Sequence, residues 1–184
     1  MKSLNLILLL IIITNSAYGQ TKQNQYFKIM TKFEEWKSKQ YQLGIYELEK
    51  NCNMDFVSKE TYKGSGTGIS TDIQVYYTDL NNDNIIDALI CFNPFLCDGG
   101  NALMNSQARI IIVSKGNEYI IDDKLIDKIE NKLTSGWLYI RNALYGDFMG
   151  EYLDYKEDDG RCCPSIKKEI RINYKDKKLE YTEQ

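Results

Sequence analysis

Residues 73–92 read IQVYYTDLNNDNIIDALICF, and this stretch decides the fold because it places two apolar runs on either side of a short polar loop. The runs Ile73–Thr78 and Ile85–Phe92 are rich in β-branched and aromatic residues, which is typical of strands. Strands that are joined by short connections run antiparallel. The stretch therefore predicts two neighbouring strands of an antiparallel sheet.

Runs rich in β-branched and aromatic residues recur along most of the chain. The further predicted strands are Phe56–Tyr62, Arg109–Ser114, Glu118–Ile121, Trp137–Leu144, Glu151–Tyr155, Ile166–Tyr174 and Leu179–Thr182. Because strand follows strand across short turns such as 115–117, we expect a mainly antiparallel, twisted sheet.

Two segments carry the spacing of a helix instead. In residues 23–40, apolar side chains recur every three or four positions and form one stripe, which predicts an amphipathic helix that packs on the sheet and ends near Gly44. A second short helix is predicted near 123–133, with Asp122 and Asp123 as its cap. The expected fold is a single α+β domain over residues 20–184.

The first nineteen residues resemble a secretory signal peptide. Lys2 supplies a positive charge, Leu6–Ile13 is an unbroken apolar run, and small residues follow at Ala17 and Gly19. We expect cleavage after Gly19 and a periplasmic or secreted mature chain. The apolar run is shorter than the roughly 20 residues of a transmembrane helix, so no membrane span is expected after cleavage.

Composition excludes several classes of enzyme. The chain contains no histidine, which rules out Ser–His–Asp and Cys–His catalysis and histidine-ligated zinc. Lysine and arginine do not cluster among aromatic residues, so nucleic acid is not an expected partner. The carboxylates of Glu151, Asp154 and 157–159 offer an acid and a base for glycoside hydrolysis, but such a run is interpreted as a solvated loop. The chain is therefore read as non-enzymatic.

The cysteines indicate disulfides in an oxidising compartment. The five candidates are Cys52, Cys91, Cys97, Cys162 and Cys163. Because five is odd, at least one thiol is free or pairs outside the chain. Cys162 and Cys163 are neighbours, and each is expected to pair with a distant cysteine. One of them is the predicted partner of Cys97, because they and Cys97 lie in irregular segments that strands flank.

The polar loop of the opening stretch has the spacing of a calcium site. Calcium takes six to eight oxygen ligands, which alternate residues of a tight loop can direct inward. The predicted ligands are the side chains of Asp79, Asn81, Asp83 and Asp87 with the main-chain carbonyl of Ile85. Asn84 occupies the sharp turn that normally carries glycine, because asparagine tolerates a left-handed backbone. The competing interpretation is a plain polar turn that binds no ion.

Two segments carry a resemblance. Asp79–Asp83 followed by Asp87–Ile90 resembles the "DLNGDG…DA" segment of exported bacterial proteins and the calcium loops of FG-GAP and dockerin-type repeats. Asp158–Ser165 is similar to a "DDxxCCPS" segment of exported, often lipoprotein, bacterial families. The resemblance implies a small secreted α+β domain and no particular activity. A single loop argues against a propeller, since propellers need repeated blades.

Together these features predict an exported, cation-stabilised binding or structural domain of the bacterial envelope, with a protein or glycan partner. One alternative is a periplasmic inhibitor or immunity-type protein that blocks a hydrolase with the loop at 93–104. Another is a hydrolase that uses carboxylates.

Overall fold

The computed structural model describes residues 2–47, 66–97, 106–160 and 163–181, with side chains from residue 22 onward. The described part holds two helices and two four-stranded antiparallel sheets, so the predicted α+β class is confirmed, although strands predominate. In chain order the elements are α1 Lys2–Gln42, β1 Thr67–Thr78, β2 Asp87–Leu96, β3 Ala108–Lys115, β4 Glu118–Ile121, α2 Leu125–Glu130, β5 Trp137–Leu144, β6 Asp147–Asp154, β7 Ile166–Asn173 and β8 Lys178–Tyr181.

The strands form two sheets where the sequence predicted one. The first sheet has the order β1-β2-β3-β4 and the second has the order β5-β6-β7-β8, and every neighbouring pair is antiparallel. The chain leaves the first sheet through α2, whose Leu125, Ile126 and Ile129 are buried in the core that both sheets share. This helix separates the two meanders.

The domain has three layers, with the first sheet in the middle. One face packs on the second sheet through Leu89 and Ile111, which meet Ile140 and Phe148. The opposite face packs on the described part of α1. The residues that share this second core are Ile29, Phe33, Trp36, Ala88, Ile90, Phe92, Ile110 and Ile112. Burial on both faces explains why β2 and β3 are nearly continuous apolar runs and do not alternate.

The end of α1 follows the prediction. Gly44 adopts φ +67°, and the amide of Ile45 donates to the carbonyl of Gln40 at 3.0 Å, which is a Schellman closure. The predicted stripe is narrower than expected, since the side chain of Phe27 is 72% exposed. The boundary predicted after Gly19 lies inside α1, and cleavage there stays a prediction. No helix in the described ranges combines the length and apolarity needed to cross a bilayer.

The predicted cap of α2 is wrong. The residue before the helix is Lys124, and no side chain caps the first turn. Asp122 instead continues the β-ladder, because its amide donates to the carbonyl of Ile111 at 2.8 Å. The helix is held from the side by Arg109 of β3, whose guanidinium contacts the carboxylate of Glu130 at 2.7 and 3.1 Å.

Other differences lie at element boundaries. β2 runs through Pro94 to Leu96, so the first residues of the predicted loop at 93–104 belong to a strand, and residues 98–104 lie outside the described part. β6 begins at Asp147, before the predicted 151, because Tyr145 and Gly146 form a tight turn with φ of +51° and +82°. The predicted strand at 56–62 lies outside the described residues.

Candidate cation-binding loop

The candidate loop connects β1 to β2 at one end of the first sheet. β1 ends at Thr78 and β2 begins at Asp87, and the turn between β5 and β6 packs beside this connection. The amide of Tyr145 in that turn donates to the hydroxyl of Thr78 at 3.1 Å. The loop is therefore attached to both sheets.

Two residues of the loop have a left-handed backbone. Asn82 adopts φ +63° and Asn84 adopts φ +66°. Asparagine is the residue other than glycine that enters this region most readily, because its short amide finds local hydrogen bonds. The sharp turn predicted at Asn84 is thus present without a glycine.

The loop closes around the carboxylate of Asp79. Its Oδ1 accepts a hydrogen bond from the amide of Asp83 at 3.1 Å, and its Oδ2 accepts one from the amide of Asn84 at 2.8 Å. A carboxylate that is held by two backbone amides is fixed in orientation. The first predicted ligand therefore lies inside the curve of the loop.

Asn81 and Asp83 lie side by side against β3. Asn81 Oδ1 accepts from the amide of Asp83 at 3.0 Å, and Asn81 Nδ2 donates to Asp83 Oδ2 at 3.1 Å. Asp83 Oδ1 accepts from the amide of Ile85 at 2.8 Å. The second and third predicted ligands are thus neighbours in space.

Ser114 of β3 joins the loop to the sheet, and sequence reasoning missed it. Its hydroxyl donates to Asp83 Oδ2 at 2.7 Å, while Asn81 Nδ2 donates to its carbonyl at 3.0 Å. Ser114 lies 33 residues from Asn81 and comes close only through the pairing of β2 with β3. Its only local signal is a hydroxyl at the end of an apolar strand.

Asp87 has a structural role that the sequence did not predict. The side chain is fully buried, and its two oxygens accept hydrogen bonds from the amides of Leu80 at 2.8 Å and Ser114 at 2.7 Å. Burial raises the pKa of Asp87, while these hydrogen bonds act in the opposite direction. Asp87 therefore staples the loop to β3 whether or not an ion is bound. Its additional role as a cation ligand stays a prediction.

Taken alone, the acidic and cysteine side chains of the described residues do not form a metal site. No three of them converge closely enough to hold an ion within the described ranges. Any cation on the loop would therefore also use amide and main-chain oxygens, such as those of Asn81 and Ile85. Calcium accepts such mixed oxygen ligands.

Two carboxylates of the acidic run in the second sheet have partners within the domain. Glu151 of β6 forms an ion pair with Arg141 of the neighbouring strand β5 at 2.7 Å. Asp154 accepts from the hydroxyls of Ser135 at 2.6 Å and Tyr152 at 2.8 Å, and these bonds lower its pKa. A low pKa makes a carboxylate a poor general base at neutral pH.

The cysteines divide into two kinds. Cys91 is a free, buried thiol in the core between the sheets, so this disulfide candidate serves as a small apolar side chain. Burial raises its pKa to about 12, against a weaker effect of Arg109. Cys97 and Cys163 are disulfide-bonded, whereas Cys52 and 162 lie outside the described residues. The partner of Cys97 therefore stays a prediction.

We also compared the chain with known proteins. The comparison finds no match to any protein-family model, to any curated protein or to any solved structure.

Proposed function

We propose that this chain is an exported, non-enzymatic domain whose loop at residues 79–87 binds calcium or a similar hard cation. The bound cation stabilises the fold, and the domain in turn binds a protein or glycan partner outside the cytoplasm.

One observation carries the cation proposal. The left-handed Asn84 and the two amides that donate to Asp79 curl the loop so that oxygen side chains at alternate positions gather in one place. Asp79 Oδ1 and Asn81 Oδ1 both accept a hydrogen bond from the amide of Asp83, at 3.1 and 3.0 Å, so these two oxygens lie beside the same nitrogen. Two carboxylates and an amide in a tight loop offer a divalent cation the hard oxygen ligands it prefers.

The loop is placed where an ion would stabilise the whole domain. Asp83 contacts Ser114 of β3, and Asp87 at the end of the same loop is buried against that strand. An ion on the loop would therefore stiffen the junction of β2 and β3, which lie at the centre of both cores. Binding to the folded state alone adds about 2.7 kcal/mol when the ion is at a hundredfold excess over its Kd.

Thermal unfolding with and without calcium tests the proposal. The melting temperature should be higher in millimolar calcium than in chelator at the same ionic strength. Asp83→Ala should abolish this difference, even though it also lowers the melting temperature in chelator by removing the contact with Ser114. The matched control is Asn82→Gly, which suits the left-handed backbone and should keep the difference. Equal melting temperatures for the wild type in calcium and in chelator would refute the cation proposal.

A further inference from the structure

β4 forms one edge of the first sheet, and among the described residues it pairs with β3 alone. Lys115 and Glu118 flank the two-residue turn at 116–117, so their backbones form a hydrogen-bonded pair. Along an antiparallel ladder such as β3–β4, hydrogen-bonded pairs alternate with pairs whose amides and carbonyls point away from each other. The amide of Asp122, which donates to Ile111 at 2.8 Å, continues that alternation. The amides and carbonyls of Tyr119 and Ile121 consequently point away from β3, toward the edge.

These outward groups have no backbone partner among the residues that the structure describes. A row of such groups is a template for another strand, and proteins usually protect it with charges or cover it. Two other edge strands are protected in these ways. β8 carries the charged residues Lys178 and Glu180. At β1, the amide of Glu47 donates to the carbonyl of Thr67 at 2.8 Å and covers the start of the strand. β4 instead presents Ile120, whose side chain is 41% exposed.

A groove lies directly beside this edge, between α1 and β4. Its volume is about 360 Å³, and Phe27 and Lys28 of α1 face Tyr119 and Glu118 of β4 across it. Phe27 is 72% exposed and lies outside the buried stripe by which the helix packs on the first sheet. Tyr119 forms a fixed wall, because its hydroxyl donates to the carbonyl of Ile86 at 2.9 Å. The groove has the dimensions of a site for one or two side chains.

The charged side chains that line the groove are Lys28, Lys32 and Glu35 of α1 and Glu118 of β4. Lys32 is paired with Glu35 at 2.9 Å, whereas Lys28 forms no ion pair with the described part of the chain. An ammonium group beside an exposed aromatic ring complements an acidic side chain that follows an apolar one. Charge complementarity of this kind selects a partner and its register.

We propose that the β4 edge binds an extended peptide as a fifth strand. The backbone of the peptide pairs with Tyr119 and Ile121, one apolar side chain enters the groove against Phe27, and an acidic side chain reaches Lys28. This is strand addition, in which main-chain hydrogen bonds give affinity and pockets for alternate side chains give specificity. The inference rests on the binding part of the proposed function and is independent of the cation.

A peptide fits this edge better than a second copy of the chain. Two β4 edges paired about a two-fold axis perpendicular to the sheet would place two α1 helices, each with its Lys28, on the same face of the joined sheet. The edge is also only four residues long, which buries too little area for a stable dimer interface.

The test uses displayed random nonapeptides without proline, selected on the folded protein and then measured as labelled peptides by fluorescence anisotropy. The selected peptides should share a large apolar residue and an acidic residue. Ile121→Pro should weaken their binding at least tenfold, because proline removes an amide that points to the edge and leaves the pairing with β3 intact. Lys28→Glu, on the exposed surface of α1, should also weaken binding at least tenfold without affecting the fold.

Two exposed controls are matched to these variants. Lys175→Glu reverses a charge in the β7–β8 turn, and Tyr145→Ala removes an aromatic side chain that is 84% exposed in another turn. Both should leave the peptide Kd unchanged within about twofold. The inference is overturned if no peptide is selected, or if the selected peptides bind Ile121→Pro and Lys28→Glu as tightly as the wild type.

Running the anisotropy assay in calcium and in chelator separates the two proposals. Peptide binding in both conditions, together with an unchanged melting temperature, would refute the cation proposal and keep this one. Calcium stabilisation without selectable peptides would do the reverse.

Discussion

Replacement of Asp87 by asparagine is expected to lower the free energy of unfolding by about 1–3 kcal/mol. The carboxylate of Asp87 is fully buried and accepts from the amides of Leu80 and Ser114. An asparagine side chain has one oxygen, so one of these two buried amides would face an NH₂ group. The cost is that of one buried donor without an acceptor.

Removal of both carboxylate oxygens of Asp87 should lower the free energy of unfolding further. Asp87→Ala leaves two buried amides unsatisfied, which corresponds to about 2–6 kcal/mol before any cavity term. That is a large part of the roughly 5–15 kcal/mol that stabilises a domain. The exposed carboxylate of Asp72 supplies the control, since Asp72→Asn should change stability by about 0.5 kcal/mol or less.

Urea unfolding, followed by the fluorescence of Trp36 and Trp137, measures these differences. The loss in Asp87→Asn should persist in chelator, because both hydrogen bonds are internal to the protein, and any additional loss in calcium measures the contribution of Asp87 as a ligand. A loss that appears only in calcium would show that Asp87 acts through the ion. Wild-type stability in Asp87→Asn would refute the stabilising role of these two hydrogen bonds.

The pH dependence gives a second check on Asp87. Burial raises its folded-state pKa above the ordinary value of 3.8, so the folded state binds more protons than the unfolded state just above that pH. Asp87 therefore makes wild-type stability fall as pH rises from 3.8 through the folded-state pKa. Asparagine does not titrate, so the difference between wild type and Asp87→Asn should narrow over that window.

Three further predictions concern the core. Arg109→Lys should lower the free energy of unfolding in urea by about 1.5–3 kcal/mol, because it breaks the buried bidentate contact with the carboxylate of Glu130. The matched surface variant Arg141→Lys should lower it by about 1 kcal/mol or less. Gly150→Ala should lower the free energy of unfolding by about 1–3 kcal/mol or more, since its Cβ would lie 2.1 Å from a main-chain oxygen of β5. Cys91 should resist iodoacetamide in the folded protein at pH 8 and react after unfolding, because its pKa is about 12; rapid native labelling, seen by mass spectrometry, would contradict its burial.

Most strands of the fold could be predicted because their local composition is unambiguous. The runs that became β3, β4 and β5 are rich in isoleucine, tyrosine and tryptophan, and their bounds agree with the structure within one residue. The division into two sheets could not be predicted, since strand texture does not say where one sheet ends. The start of β6 was missed because Tyr145, a bulky residue, adopts a left-handed conformation that its side chain does not signal.

The candidate loop was predictable only in part. Its turn at Asn84 follows from local chemistry and has the expected φ. The hydrogen bond between Ser114 and Asp87 depends on the register of β2 against β3, which brings together these two residues from 27 positions apart. Asp87, at the ninth position of the loop, was predicted as a ligand, and that role stays a prediction; the two amides that also face it could not be predicted, because nothing local in the sequence reveals them.

The most direct measurement of the central proposal is a calcium titration of the ¹⁵N-labelled protein by NMR. The amides of Asp83, Asn84 and Ile85 should shift along a single-site isotherm with a Kd of roughly 10⁻⁴ to 10⁻³ M, while amides of β8 stay in place. Loop amides that remain unshifted at about 10 mM calcium, tenfold above the weakest expected Kd, would contradict the cation-binding role and identify the loop as a plain polar turn.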